Sequence, residues 1–103
     1  MQFFFDVRVR HEDMTIEQLW EIWAKEADAA HEGIQAGQFQ LWKVAGQRRI
    51  VGVANFDTAD ELDRAFMAAL PMAHVLEFEE IVPVRPYEAF AADVRSRWAA
   101  VVG

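Results

Sequence analysis

The apolar residues of this chain keep changing their spacing, from every second residue to every third or fourth and back, and that alternation restricts the possible fold most tightly. From Phe3 to Arg10 the period is two: Phe3, Phe5, Val7 and Val9 point one way, and Gln2, Phe4, Asp6, Arg8 and Arg10 the other. A strand with one apolar and one mixed face has this pattern. After the polar loop His11-Glu12-Asp13, Thr15 stands as an N-cap with Gln18 three residues on, the capping-box spacing. Ile16, Leu19, Trp20, Trp23, Ala27, Ala30 and Ile34 then recur at helical intervals up to Gly33–Gly37, which predicts an amphipathic helix of about five turns.

Period two returns over Gln38–Val44, with Phe39 and Leu41 on one face and Gln40 and Trp42 on the other. Ala45-Gly46-Gln47 is a short turn and Arg48–Phe56 a third strand, so the pair reads as a hairpin. Thr58 and Glu61 repeat the capping spacing, and Leu62, Ala65, Phe66, Ala69 and Leu70 mark a second helix that Pro71 stops. His74–Val84 is rich in Val, Ile, Leu and Phe and predicts a fourth strand. Pro86 opens a third amphipathic helix marked by Tyr87, Phe90, Ala91, Val94, Trp98 and Val101.

The order β-α-β-β-α-β is the split-βαβ, ferredoxin-like arrangement, an α+β fold with one antiparallel sheet. The chain of 103 residues is read as one such domain, with residues 86–103 as a C-terminal helical extension. Two helices cover one face of the sheet and leave the other to water, a ligand or a second subunit. Phe4, Trp42 and the apolar residues of strands three and four make that face too hydrophobic for simple solvation. A face-to-face homodimer with a cavity between the sheets is the economical expectation. The aromatic content, four Trp, eight Phe and one Tyr, agrees with subunit contacts, where such residues are enriched.

Composition removes several function classes. The formal charge of −7 argues against nucleic acid and anionic membrane as partners, since phosphate neutralisation needs clustered cations. The longest uncharged run, Ala65–Leu76, contains Pro71 and His74 and is far short of the ~20 apolar residues of a membrane span. Phe3-Phe4-Phe5 follows the initial Met1-Gln2 without a basic leader, so no signal peptide is expected and a cytoplasmic location is. Zero cysteines exclude disulfides, thiolate nucleophiles and Cys-ligated metal centres. Three histidines without HxH, HxxxH or HExxH spacing speak against a metal site, Gly46 and Gly52 lack phosphate-loop spacing, and Ser96 as the sole serine disfavours a Ser-His-Asp hydrolase. No cofactor is expected.

Among residues able to carry chemistry, Glu26 comes first. With Ile16 set at zero on the first helix, Trp23 and Ile34 mark the centre of the apolar stripe and Glu26 falls at about 280°, beside Leu19 and Ala30, while Lys25 points away at about 180°. A carboxylate at the edge of a Trp-lined stripe is desolvated, its pKa rises, and it suits general-base work; the plainer reading is a boundary glutamate reaching solvent. His31 lies on the opposite edge of the stripe and reads as a boundary residue. His74, after Pro71 at the start of strand four, sits where sheet-end pockets gather residues, or is a solvent-facing loop histidine. Arg8, Lys43, Arg48, Arg49 and Arg85 lie on or beside strands. Arg8 is the best placed to hold an anionic substrate bidentately, unless Asp6 on the same face neutralises it. Trp42 and Phe4 wall a cavity or a dimer interface, and Glu77, Glu79 and Glu80 form a solvated strand edge.

The stretch Leu41-Trp42-Lys43-Val44-Ala45-Gly46, then Ala54-Asn55-Phe56-Asp57, Asp60-Glu61-Leu62 and Leu70-Pro71-Met72, resembles the muconolactone Δ-isomerase family, which carries an LWR-[IV]-xG hairpin, a strand ending in [IV]FD/E, a DELH-like helix and an LPLF-type turn. Met1-x-Phe3-x-Phe5-x-Val7-x-Val9 resembles that family's first strand, and the likeness covers roughly residues 1–86. It implies a ferredoxin-like subunit in a dimeric α+β barrel, assembly into larger rings, and cofactor-free isomerisation of an unsaturated lactone in aromatic catabolism. The implied mechanism is a 1,3-proton shift with Glu26, which aligns with the family's first-helix glutamate, as base. Arg8 would then hold the carboxylate of a small anionic lactone, and Gln40 or His74 would hydrogen-bond the enolate oxygen. The chain departs from the family at Asp6, where a basic residue is usual, at Leu70-Pro71-Met72-Ala73-His74, where LPLFPYM is usual, and at Arg85-Pro86, where His-Pro is usual. The same barrel also hosts cofactor-free monooxygenases and polyketide-tailoring proteins, and a non-catalytic ligand binder is a third reading.

Overall fold

In the computed structural model, which describes residues 1–97, β1 (Gln2–Val9) runs through the middle of a four-stranded antiparallel sheet. β2 (Phe39–Lys43), β3 (Arg49–Asn55) and β4 (Leu76–Val84) complete it in the order β2-β3-β1-β4. Helix α1 (Ile16–Gln35) follows β1, and α2 (Ala59–Arg64) follows β3, running on into a π-helical turn over Ala65–Ala69. A 3-10 turn, Ala73–Val75, leads into β4, and α3 (Tyr87–Arg95) comes last. This is the expected β-α-β-β-α-β topology with a further helix. The expected positions Trp98 and Val101 lie outside the described residues.

The alternation along β1 sorts as its spacing demands. Phe3, Phe5, Val7 and Val9 are all buried towards the helices, and cross-strand pairing fixes their neighbours: Phe5 faces Gly52, Val7 faces Ile50 and Phe78, and Val9 faces Leu76. The register with β4 shifts between Asp6 and Val7, leaving Glu79 as the extra residue of a bulge. Aromatic rings fill the core above these strands. Phe66 stacks on Phe78 at 4.6 Å and meets Phe5 edge-on at 5.2 Å, and Phe39 meets Phe56 edge-on at 5.9 Å.

The reciprocal cap of α1 is formed: Thr15 Oγ1 accepts from the Gln18 N–H, and Gln18 Oε1 accepts from the Thr15 N–H. The helix is nonetheless rotated from the orientation its large apolar residues imply. Leu19 and Gly33 are its buried positions, whereas Ile16 (42% exposed), Trp20 (51%) and Ile34 (43%) face outward. On the 100° wheel the buried line therefore runs near about 280°, through Glu26, instead of near zero. The reason is Gly33. A Cβ built there would stand 2.3 Å from Phe39 Cδ2, so the bare helix backbone at Gly33 seats the Phe39 ring. A count of apolar side chains gives such a contact no weight.

Helix α2 keeps half of its expected box: Thr58 Oγ1 accepts from the Glu61 N–H, but Glu61 reaches the Asp57 N–H. Its continuation as a π turn, closed by Leu70 N–H to Ala65 O at 3.1 Å, turns Ala69 out to solvent while Phe66 stays buried. The fourth strand begins at Leu76, because Ala73, His74 and Val75 form the 3-10 turn. None of the described residues of α3 is buried. No helix among the described residues is long and apolar enough to cross a membrane.

Candidate active site

A cavity of about 110 Å³ lies between α1 and the helix-covered face of the sheet. Its floor comes from Phe5, Val7 and Val9 of β1 with Leu41, Ile50 and Phe78 of the neighbouring strands, and its roof from Trp23, Glu26, Ala27 and Ala30 of α1. Phe66, Leu70 and Met72 close one side. Glu26 is the ionisable side chain in this lining. The helix rotation carries it there, from the edge of the stripe to its buried centre.

What holds Glu26 is a backbone group. Pro71 ends the π turn, Leu70 adopts an extended ψ of 140°, and the chain folds back through Ala73 N–H to Leu70 O and Val75 N–H to Met72 O. Met72 is left almost fully buried, 1% exposed, with an N–H that needs an acceptor. Glu26 Oε1 supplies it at 2.9 Å. The other carboxylate oxygen has no hydrogen-bond partner among the described residues. Burial pushes the Glu26 pKa up, and the Met72 N–H opposes that by favouring the ionised form. A half-buried carboxylate of raised basicity, anchored through one oxygen beside an apolar space, is equipped to take and return a proton on carbon.

The other candidate residues are not gathered around it. Phe4 and Arg8 alternate with the floor residues of β1, and Gln40 and Trp42 with Phe39 and Leu41 of β2, so all four lie on the opposite, uncovered face of the sheet. The expectation that Glu26 and these residues share one chamber between paired sheets is corrected accordingly. Within one chain the sheet separates them, because alternation assigns odd and even strand residues to opposite faces. Arg8 is paired not with Asp6 but with Glu79, its Nε 2.7 Å from Oε1. Asp6 is buried and takes two hydrogen bonds from Arg49, one of them from Nε to Oδ1 at 2.7 Å. Arg10 forks onto Glu77. The strand-four glutamates are thus ion-pair partners at two of three positions. His74 is exposed in the 3-10 turn and is no part of the cavity lining, and His31 is exposed on α1.

Two parts of this candidate site escaped sequence reasoning. The Met72 N–H carries no residue-type signature; the available signal was an apolar residue directly after a helix-stopping Leu-Pro pair. The cavity walls Leu41, Ile50, Leu70, Leu76 and Phe78 are indistinguishable in sequence from ordinary core. Among the described residues, no group of three or more His, Asp or Glu side chains is placed to hold a metal ion.

Comparison with known families adds one finding. A family model described as muconolactone delta-isomerase matches residues 1–89, which includes every strand, α1, α2 and the whole cavity lining. No individually curated protein matches the chain.

Proposed function

The chain belongs to the muconolactone delta-isomerase family, and from that premise we propose that it moves a double bond in an unsaturated lactone by a 1,3-proton shift, with Glu26 as the single acid–base group. The observation that carries this reading is the Glu26 carboxylate, bound by one oxygen to the Met72 N–H and facing a cavity otherwise lined by apolar side chains.

The chemistry follows from that placement. The free oxygen of Glu26 removes the proton from the ring γ-carbon. The C–H electron pair moves into the ring as a dienolate with its charge on the lactone oxygen, and the protonated Glu26 delivers the same proton to the α-carbon. Desolvation makes the carboxylate a stronger base, and the apolar walls favour return of the proton over its loss to water. The anchor on Oε1 holds one oxygen in place and leaves the other to serve both carbons in turn.

We also propose that two copies pair through the uncovered sheet faces, where Phe4, Trp42, Val51 and Val53 form an apolar patch on one chain. Trp42 is 57% exposed there and lies opposite Val51 across the β2–β3 ladder. In this reading Arg8, Gln40, Trp42 and Phe4 belong to the subunit contact and not to the reaction chamber.

The test is anaerobic turnover of a γ-substituted butenolide in D₂O, followed by absorbance and by NMR of the α- and γ-carbons. Wild-type protein is expected to shift the double bond without consuming oxygen, and Glu26→Gln to be slower by on the order of 10²–10⁴. Equal rates for the two proteins would overturn the assignment of the base. A strict requirement for oxygen would move the protein to the cofactor-free monooxygenases.

A further inference from the structure

Helix α1 buries two positions, Leu19 and Gly33, and Glu26 lies seven residues from each. Leu19 is one seat of the helix, packed in the core with Val9, Met72 and Val75. Gly33 is the other, with its bare backbone against the Phe39 ring. Seven residues are nearly two turns, so Leu19, Glu26 and Gly33 follow one line along the helix, each about 10 Å from the next. The carboxylate stands midway between the seats, and both set its height over the cavity.

The seat at Gly33 has no slack. A Cβ there would stand 2.7 Å from Phe39 Cε2 and nearer still to Cδ2. Packed carbons lie about 3.5–4 Å apart, so something would have to give by about 1 Å. The ring is confined: Phe56 meets it edge-on at 5.9 Å, Ala54 faces Phe39 across the β2–β3 ladder, and its open side is the cavity. The backbone cannot carry it away, because the Gln38 N–H donates to Gly33 O at 2.8 Å directly before Phe39. What yields is the helix, which lifts or turns at this end about the Leu19 seat. Glu26, halfway along, then shifts by roughly half an ångström. Its carboxylate is fixed by one hydrogen bond, 2.9 Å long, to the Met72 N–H of a different segment. Misplacing a reacting group by about 1 Å can cost on the order of 10²-fold in rate.

We propose that Gly33 is a positioning residue for the proton shift: the closeness of its backbone to Phe39 sets the seating of α1, and with it the place of the Glu26 carboxylate over the cavity. The proposal rests on the isomerase reading for what Glu26 does and on packing alone for where it stands. Turnover and the amide signal of Met72 therefore test the two separately.

The experiment compares Gly33→Ala, Phe39→Leu and the double variant with wild type, by amide NMR of Met72 and by kcat and KM for a γ-substituted butenolide. Thr15→Ala, which weakens the same helix at its far cap, controls for lost stability. Gly33→Ala is expected to move the Met72 signal and to lower kcat by on the order of 10–10² with KM nearly unchanged. Thr15→Ala is expected to leave both as in wild type. Phe39→Leu removes the ring, so the double variant is expected to match Phe39→Leu within about twofold. A folded Gly33→Ala with its Met72 signal in place, or with only KM raised because the ring has swung into the cavity, would overturn the proposal. An equal loss of kcat from Gly33→Ala with and without the ring would do the same. Should Gly33→Ala fail to fold, the double variant carries the test, and any larger departure from Phe39→Leu in kcat or in the Met72 signal sinks the idea. A Met72 signal that moves as expected in a protein without turnover would uphold the positioning and count against the isomerase reading.

Discussion

Glu26 and Asp6 are both carboxylates withdrawn from water, and their surroundings push them in opposite directions. Desolvation raises the Glu26 pKa, so its ionisation is less favourable in the folded chain than in the unfolded one. The resulting stability contribution is complete below the unfolded glutamate value, about 4.3, and is lost as the pH rises through the higher folded value. Glu26→Gln keeps an oxygen for the Met72 N–H and removes the charge. Its thermal midpoint is therefore expected to equal or exceed that of wild type at pH 8, with the difference vanishing near pH 4; a variant markedly less stable at pH 8 would contradict this. At Asp6, hydrogen bonds and charge from Arg49 outweigh desolvation and hold the carboxyl below its ordinary range. Its contribution is present above about pH 3.9 and is lost as the pH falls through the depressed folded value. Asp6→Asn is expected to lower the midpoint at neutral pH and to converge on wild type as the pH falls through the depressed folded value, read by thermal unfolding from neutral pH downwards.

At the scale of single elements, α1 shows where local pattern suffices and where it does not. Its start is written in Thr15 and Gln18, whose mutual hydrogen bonds depend on nothing beyond the first turn. Thr15→Ala is expected to cost about 1 kcal/mol, seen as a lower denaturant midpoint with unchanged slope. The face it buries was not legible in the same way, because the deciding contact is the missing side chain of Gly33 under the Phe39 ring. Helix propensity by itself predicts that Gly33→Ala stabilises by about 1 kcal/mol. The close approach of Phe39 reverses the sign, and a loss of roughly 1–3 kcal/mol is expected from overpacking. A stabilised Gly33→Ala variant would show that the ring moves aside freely. The second helix makes a similar point, since its apolar spacing continues evenly to Leu70 while the backbone widens into a π turn and expels Ala69.

For the molecule as a whole, the sheet is a partition. Helices close one side around Glu26, and the other side carries Trp42 and Phe4 beside the ion pairs of Arg8 and Arg49. The proposed pairing of two copies through this second side predicts that Trp42→Asp weakens self-association by about 2 kcal/mol or more, as loss of a central aromatic anchor does. Sedimentation velocity would show a shift towards monomer, with the helix content of the chain unchanged. A wild-type chain that sediments as a monomer at high concentration would remove the proposal.

Strand and helix order, the N-caps and the choice of Glu26 follow from periodicity and capping, which act over a few residues and can be read along a line. The depth at which Glu26 lies, the Met72 N–H that steadies it and the absence of a lining cation among the described residues depend on which segments come to lie against one another. A carboxylate acquires its acidity, its partners and its access to a ligand from groups distant in sequence, here 46 positions away in the case of Met72. Only the folded arrangement brings those groups together.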